Sequence, residues 1–325
     1  MLYSGKDLRK LIIPLIIEQI LAIAVGMADT IMVSAAGEAA VSGVSLVDTV
    51  NILLINVFSA LATGGAVVSG HFLGKKKRED ACKSAWQILL FATLLAFVIS
   101  VIFITAHDPL LRLMFGKIED DVMKASKTYL IITTYSFVAL AIYNSCAALF
   151  RAMNESKVTM WVSLLMNVIN VVGNAICIYG LHMGVAGVAI PTTISRYVAA
   201  VVIFLLMFQT KKEINLCGQI TWKFNGSLIK KILYIAIPNG LENSMFQLGK
   251  ILVMSAVATM GTSAIAANAV TGTIANWNNL PGFAINLAIV SVVSVCVGAG
   301  RYDQARYYTR RCLLYTSDAA DDKAR

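Results

Sequence analysis

Residues 11–33, LIIPLIIEQILAIAVGMADTIMV, form an apolar run that contains two carboxylates, Glu18 and Asp29. The run is longer than the ~20 helical residues needed to cross a bilayer core, so it predicts a membrane-spanning helix. A charge at the bilayer centre costs ~2.5–3.5 kcal/mol on insertion scales, and ionisable residues at that depth generally face a cavity on an ion or substrate path. The two acids are therefore the first candidates for a functional site.

The rest of the chain has the same character. Of its 325 residues, 58% are hydrophobic and 14% are charged, with a mean hydropathy of +0.74, whereas soluble domains are ~45–50% apolar and ~25% charged. With the first run extended to residue 35, the apolar runs cover 11–35, 45–73, 85–106, 128–150, 158–180, 185–208, 229–259 and 264–297. Because the runs are continuous rather than alternating, they predict helices and not barrel strands. The sequence predicts an all-α polytopic membrane protein with eight spanning helices.

The net charge of +9 follows the expected membrane topology. Basic residues precede the first run and follow the second, fourth, sixth and eighth runs, whereas the other loops hold mostly acids. By the positive-inside rule, this pattern predicts a multi-pass protein of the plasma membrane with a cytoplasmic N-terminus. The lipid bilayer explains the charge, so no nucleic-acid partner is expected.

The sequence offers no catalytic motif. Its six cysteines are scattered without metal or redox spacing, and its three histidines stand singly. A Gly-rich phosphate loop and a nucleophile elbow are also missing. We therefore expect no enzymatic activity and no cofactor.

The chain contains an internal duplication. IPLIIEQ at 13–19 recurs as IPNGLEN at 237–243, an offset of 224 residues. The same offset pairs Pro14 with Pro238, Glu18 with Glu242, Gly37 with Gly261, Ala40 with Ala264, Gly74 with Gly298, and Ala81 with Ala305. Because the repeat has six helices, an even number, both copies start on the same side of the membrane. We therefore predict two lobes related by an axis along the membrane normal.

This repeat predicts a chain that is truncated at its C-terminus. We assign residues 1–212 to an N-terminal lobe with helices 1–6, and residues 213–311 to the start of a C-terminal lobe with helices 7–8. Residues 312–325 end in DAADDKAR, where the repeat requires a membrane-buried helix. We interpret them as a non-native tail; the alternative is a natural charged C-terminus.

Small residues lie between the two acids of the first run. Eleven residues make about three helical turns, so Glu18 and Asp29 share one helix face with Ala22 and Gly26. This face leaves room for a solute or for a close helix. For each acid, the alternative is burial against a donor from a neighbouring helix.

The fifth run carries Asn167, Asn170 and Asn174 at i, i+3 and i+7, which makes one polar stripe on an apolar helix. These amides could coordinate an ion. They could also hold another helix through hydrogen bonds worth ~0.6–2 kcal/mol each.

The seventh run places Asn243, Gln247 and Lys250 on one stripe, with Glu242 beside it. Substrate contacts and an internal ion pair are both consistent with this pattern.

Two more charged residues accompany the apolar runs. Arg196 follows Pro191, which frees a backbone carbonyl and favours a kink beside a cavity. Asp48 is assigned to the start of the second helix, where a carboxylate complements the helix dipole.

Five segments are distinctive enough in order and spacing to indicate a family. They are MADTIMVSAAGEAAVSGVSLV (27–47), VVSGHFLGKKKREDA (67–81), ALFRAMNESKVTM (148–160), NVINVVGNAICIYG (167–180) and GVAGVAIPTTISR (184–196), and VGAGRYDQA (297–305) repeats the second. The chain resembles the multidrug and toxic compound extrusion (MATE) transporters.

This resemblance implies a two-lobe fold of 6+6 transmembrane helices, about eight of them present here, in a protein that is monomeric when complete. It implies export of small organic, often cationic, compounds in exchange for H⁺ or Na⁺. Asp29 matches the first-helix aspartate that couples the ion in many members, and Asn170, Asn174 and Thr192 match its partners. A Na⁺ site is possible at Asp29, Asn170 and Asn174. Some members have a second aspartate where this chain has Asn174, so this site would carry one negative charge less. Others hold an acid deeper in the seventh helix, near Phe246.

We hypothesise that Asp29 lies in a largely dehydrated cavity and holds a proton near neutral pH. Protonation would remove its charge, let the first helix repack against the asparagine stripe, and favour outward release of substrate during alternating access. The expected substrate cavity includes Glu18, Gly26, Asn167, Glu242, Asn243, Gln247 and Lys250.

Two alternatives within membrane transport stay open. One is a lipid-linked oligosaccharide flippase of related fold, which would need a strongly cationic cavity, although only Arg196 and Lys250 are available for it. The other is a channel, although a two-lobed duplication favours alternating access.

Overall fold

The computed structural model describes residues 2–115, 119–258 and 262–321, and these residues form helices joined by short loops, without any β-strand. The helices are α1 (Gly5–Ser34), α2 (Glu38–Gly74), α3 (Arg78–Thr105), α4 (His107–Phe115), α5 (Asp120–Thr134), α6 (Phe137–Ala152), α7 (Ser156–Ala175), α8 (Ala186–Leu206), α9 (Gly226–Ala258), α10 (Thr262–Gly298) and α11 (Tyr302–Asp321). A π-helical turn, Ile176–Gly180, continues α7. We call α1–α8 the first half and α9–α11 the second half.

Local sequence signals set the helix ends. Ser4 caps α1 by accepting a hydrogen bond from the amide of Asp7, and the Asp7 carboxylate accepts one from the amide of Ser4. This reciprocal capping box satisfies two donors that a helix start leaves free. Lys76 and Asn154 adopt left-handed φ angles of 59° and 62° in the short loops that reverse the chain after α2 and α6.

Each of the eight predicted apolar runs corresponds to a long helix or a helix pair. Within the described part of the chain, six segments are long and apolar enough to cross a membrane: α1, α2, α3, Ser156–Gly180, α8 and Trp277–Gly298. The pair α5–α6, bent by 50°, makes a seventh. Helix α9 is not among these segments, so its span stays a prediction.

Helix α2 lies at the centre of the molecule. It packs against α3, α5 and α6 of the first half and against α9 and α10 of the second half. Gly65 lets α2 approach α3 closely, because a Cβ there would lie 2.5 Å from Cγ1 of Ile88. Helix α1 packs against α7 and α10, and α7 packs against α8. The side chains of α1, α7 and α8 therefore meet inside the first half.

The helix bounds reproduce the sequence repeat. Helices α2 and α10 are both 37 residues long and occupy matching positions at the offset of 224, as do the starts of α3 and α11. The two halves touch at matched positions: a Cβ on Gly70 would overlap Oγ of Ser294, and a Cβ on Gly74 would lie 2.9 Å from C of Gly298. Of the paired positions, Gly261 lies outside the described residues. An approximate twofold axis thus passes between α2 and α10.

Candidate ion-coupling site

The four residues implied as an ion-coupling site form one chain of side-chain hydrogen bonds. Asn174 Nδ2 donates to Asp29 Oδ1 at 2.7 Å and to Asn170 Oδ1 at 3.2 Å. Asn170 Nδ2 donates to Thr192 Oγ1 at 2.9 Å, and that hydroxyl donates to the carbonyl of Val188 at 2.8 Å. The chain links α1 to α7 and α7 to α8.

The site is shielded and rich in oxygen. Asn170, Asn174 and Thr192 are buried, and Asp29 is half-buried. Asn174 Oδ1 is buried and has no hydrogen-bond partner among the described residues. An unsatisfied buried acceptor costs roughly 1–3 kcal/mol, so a proton donor or a cation would be stabilised beside it. Carboxylate, amide and hydroxyl oxygens are ligands for hard cations.

Close packing of two helices makes these contacts possible. A Cβ on Gly173, between the two asparagines, would lie 2.6 Å from Cβ of Pro191, beside Thr192. Only glycine therefore permits this separation of α7 and α8. The π-helical turn follows directly, with the amide of Leu181 bonded to the carbonyl of Ile176. Such turns are rare and occur frequently at functional sites.

A second polar cluster lies near this chain. Asp48 Oδ1 accepts hydrogen bonds from the hydroxyl of Tyr129 at 3.1 Å and from Asn51 Nδ2 at 3.3 Å, which ties α2 to α5. Arg196 interacts electrostatically with both Asp48 and Asp29. The assignment of Asp48 to a helix start is wrong, because α2 begins at Glu38, about three turns earlier. The error arose because the helix start was taken from the apolar run, which begins at residue 45, whereas the helix itself begins at Glu38.

The bend between α5 and α6 is held by side chains of α8. Arg196 Nη1 donates to Ser136 Oγ at 2.8 Å, Thr193 Oγ1 to the carbonyl of Ile132 at 3.0 Å, and the Tyr197 hydroxyl to the carbonyl of Tyr135 at 2.8 Å. A broken helix at membrane depth needs such partners for its freed backbone groups. Arg196 thus stabilises a bend in α5–α6, in addition to any effect of Pro191 on α8.

Glu18 is bound differently from Asp29, although both acids contact α7. Its Oε2 accepts a hydrogen bond from Thr159 Oγ1 at 2.9 Å, and its Oε1 lies 3.5 Å from Nη1 of Arg151, at the end of α6. Donors from neighbouring helices therefore contact both carboxylate oxygens of Glu18. This arrangement is the alternative that the sequence left open for each of the two acids. We assign Glu18 to packing among α1, α6 and α7 rather than to a substrate cavity.

Two other predicted cavity residues lie on facing helices. Gly26 is exposed, and a Cβ on it would meet no atom within 4 Å. Asn167 is buried, and its Nδ2 has no hydrogen-bond partner among the described residues. Open space next to Gly26 and an unpaired amide on the asparagine stripe are consistent with a solute-facing surface.

The predicted residues of α9 are not bonded to the Asp29 chain. Glu242, Asn243 and Lys250 are exposed, and Gln247 is half-buried. Asn243 Nδ2 donates to Asn239 of its own helix, and Lys250 Nζ lies 4.9 Å from the centroid of the Phe246 ring. Within the described residues no ion pair includes Glu242 or Lys250, so the internal ion pair considered for this stripe is not formed.

Residues 14–176 and 238–317 each match the family model MatE. The chain belongs to the MatE family. The two matched segments begin at Pro14 and Pro238, the first pair of the internal repeat, so the resemblance inferred from the sequence motifs is confirmed.

Two relatives and a solved structure resemble the chain over most of its length. The chain is 28% identical to the "Uncharacterized transporter YisQ" of Bacillus subtilis (92% of this chain, 66% of that protein) and 25% identical to the "Probable multidrug resistance protein NorM" of Thermotoga maritima (91% and 64%). It superposes with a TM-score of 0.87 and 21% identity on the outward-facing conformation of a multidrug resistance MATE family transporter of the MOP superfamily (95% of this chain, 68% of that one). The MATE-like helical fold is therefore confirmed, and the chain spans slightly less than two thirds of these two relatives.

Proposed function

We propose that this MatE chain belongs to a secondary active multidrug efflux transporter of the plasma membrane, which exchanges small organic, often cationic, compounds for H⁺ or Na⁺ by alternating access. Asp29 is the proposed coupling carboxylate, and Asn170, Asn174 and Thr192 position it. The observation that carries this proposal is the hydrogen-bond chain from Asp29 through two buried amides to Thr192. In two-lobed transporters, coupling sites of this kind lie near the bilayer midplane.

The charge of Asp29 controls how firmly α1 is held against α7. The ionised carboxylate accepts a charge-assisted bond from Asn174, and such bonds are roughly twice as strong as neutral ones. Protonation removes that charge and turns the carboxyl group into a donor as well as an acceptor. Asn174 Oδ1, the buried acceptor without a partner, is then available to it after a small rotation. The contact between α1 and the asparagine stripe thus has two arrangements, and a proton or Na⁺ selects between them.

A cationic substrate and the coupling ion compete for this one carboxylate, which is sufficient for exchange. Gly26 and Asn167 are the proposed cavity residues of the first half, and Glu242, Asn243, Gln247 and Lys250 those of the second. The names of the relatives support multidrug export over a lipid-linked oligosaccharide flippase. We propose a monomer with a cytoplasmic N-terminus.

The coupling role of Asp29 is tested by reconstituting the protein in vesicles with an imposed H⁺ or Na⁺ gradient. We expect Asp29→Asn to abolish gradient-driven efflux while the protein still inserts, because the amide cannot be reversibly charged. Asp121→Asn is the matched control, since Asp121 is exposed on α5 and pairs with Lys124 at the surface. The gradient that drives efflux identifies the ion.

Infrared difference spectroscopy of the purified protein tests the same site without transport. The parent should show the carbonyl band of a buried carboxylic acid that disappears as pH rises, and Asp29→Asn should lack it. If Na⁺ is the ion, adding it at constant pH should also remove the band. An identical titration in the parent and in Asp29→Asn would refute the assignment.

A further inference from the structure

A basic cavity of about 470 Å³ lies between the C-terminal end of α2 and the N-terminal end of α9. His71 and Lys75 contribute to it from α2 and the loop that follows, and Lys230 and Lys231 contribute from α9. The hydroxyl groups of Ser227 and Tyr234 also line it, and none of the lining residues that the structure describes is a carboxylate. The cavity thus concentrates positive charge where the two halves of the molecule meet.

The lysines of this cavity lack anionic partners. Lys75, Lys230 and Lys231 are all exposed. Among the residues that the structure describes, no ion pair includes Lys75, Lys230 or Lys231. Neighbouring like charges repel each other, and Lys75 and Lys231 both act electrostatically on His71. An anion placed among them would relieve this repulsion.

The rest of the cavity is apolar and continues along α9. Val67 and Phe72 form one wall, and Tyr234, which is 82% exposed, forms part of the other. Ile237 and Leu241 follow Tyr234 at i+3 and i+7, so one exposed apolar track leads away from the basic cluster. A charged site at the head of an apolar track suits an amphiphile better than a free anion.

The position of the cavity agrees with this interpretation. It lies at the end of the molecule that carries the basic loops, which the positive-inside rule places on the cytosolic side. The cytosolic leaflet carries anionic lipids, and basic pockets between transmembrane helices on that side bind their headgroups.

We propose that this cavity binds an anionic phospholipid, with its phosphate among Lys75, Lys230 and Lys231 and an acyl chain along Tyr234, Ile237 and Leu241. Because α2 belongs to the first half and α9 to the second, the bound lipid links the two halves at one end of the molecule. This site is separate from the Asp29 chain, and its occupancy does not depend on the proposed transport activity.

The proposal is tested by native mass spectrometry of the detergent-purified protein titrated with phosphatidylglycerol or phosphatidylcholine. The parent should retain phosphatidylglycerol in preference to phosphatidylcholine. The variant K75Q/K230Q/K231Q should lose affinity for phosphatidylglycerol by about fivefold for each lysine removed. The single substitution Lys231→Glu should weaken retention in the same direction. It leaves Lys75 and Lys230 in place, so it gives the answer if the triple variant does not assemble.

The matched control is K76Q/K77Q/K211Q, which removes the same charge from exposed positions at the same end of the molecule but outside the cavity. It should bind phosphatidylglycerol like the parent. Equal loss in this control would overturn the proposal in favour of diffuse attraction to the basic loops. Equal retention of phosphatidylcholine would also overturn it, as would equally tight binding of glycerol phosphate, which lacks acyl chains.

Discussion

Asp29 contacts a buried amide, Asn174, and no second carboxylate lies in its hydrogen-bond chain. One proton is enough to neutralise a single acid. A Na⁺ ion at the same place would be coordinated by one negatively charged carboxylate and by neutral amide and hydroxyl oxygens. The identity of residue 174 therefore bears directly on which ion is preferred. The resemblance to the MATE transporters implies that some members have an aspartate at the position of Asn174.

We predict that Asn174→Asp raises the affinity for Na⁺ on the order of tenfold, because it adds a negative charge next to Asp29 in partly shielded surroundings. Isothermal titration of the purified protein with NaCl against KCl measures the change. Asn167→Asp is the control, since it puts the same charge on the same helix stripe without a bond to Asp29. Equal gains in both variants would show that the effect is nonspecific.

Glu18 and Arg151 form a buried ion pair, with side chains that are 11% and 12% exposed. We predict that Glu18→Gln lowers the free energy of unfolding by about 3–5 kcal/mol, because Arg151 is left as an uncompensated buried charge. Unfolding in mixed micelles of increasing SDS content measures the loss.

The double variant Glu18→Leu/Arg151→Met provides the control for this pair. It should recover most of the lost stability, because replacing both charges leaves neither one unpaired. The infrared band assigned to Asp29 should persist in Glu18→Gln. A double variant as unstable as the single one, or loss of that band, would contradict a purely structural role for Glu18.

At the scale of elements, the segment that joins the two halves is fastened to the first half. Arg78, at the start of α3, donates to the carbonyls of Glu213, Thr210 and Lys212 at 3.0, 2.9 and 2.6 Å. Trp86 Nε1 donates to the carbonyl of Thr221 at 2.7 Å further along the same helix. The connecting segment therefore lies along α3 as far as its junction with α9, where the amide of Asn225 donates to Gln87 Oε1 at 2.9 Å.

We predict that Arg78→Met releases this segment, because one side chain supplies three charge-assisted bonds to it. Limited trypsin digestion should cut after Lys211 and Lys212 several times faster than in the parent. Lys83→Met is the control: it lies on α3 as well, but pairs only with Glu79 on the same helix surface. Unchanged cleavage in Arg78→Met would show that other contacts hold the segment.

At the scale of the whole molecule, contact between the halves depends on glycine at matched positions. A Cβ on Gly74 would overlap the carbonyl of Val295 and lie 2.7 Å from the amide of Ala299, and a Cβ on Gly298 would overlap the backbone of His71. The two backbones thus approach each other directly across the approximate twofold axis. Any side chain at either position would force α2 and α10 apart.

We predict that Gly74→Ala separates α2 from α10 at this end, because backbone atoms cannot give way as a flexible side chain can. Distances between spin labels on Lys76 and Tyr302, measured by pulsed electron paramagnetic resonance, should become longer or more broadly distributed. Gly249→Ala is the control, since a Cβ there meets nothing within 4 Å and alanine favours the helix. Equal distance distributions in parent and Gly74→Ala would refute the prediction.

The helices and the family could be predicted from the sequence, and the resemblance to the family pointed to the four residues of the candidate site. Continuous apolar runs leave no other structure for the backbone in lipid, and the repeat offset of 224 fixed which helices correspond. The asparagine stripe could be predicted because helical spacing alone puts Asn170 and Asn174 on one face.

The partner of each buried polar group depends on the packing of the helices. Glu18 and Asp29 look alike in sequence, two acids on one helix face, yet only the fold places Arg151 beside the first and Asn174 beside the second. The cluster of Asp48 and Tyr129 joins α2 to α5, and the basic cavity joins α2 to α9. Such contacts depend on how helices far apart in the chain pack against each other, and the periodicity within a single helix carries no information about them.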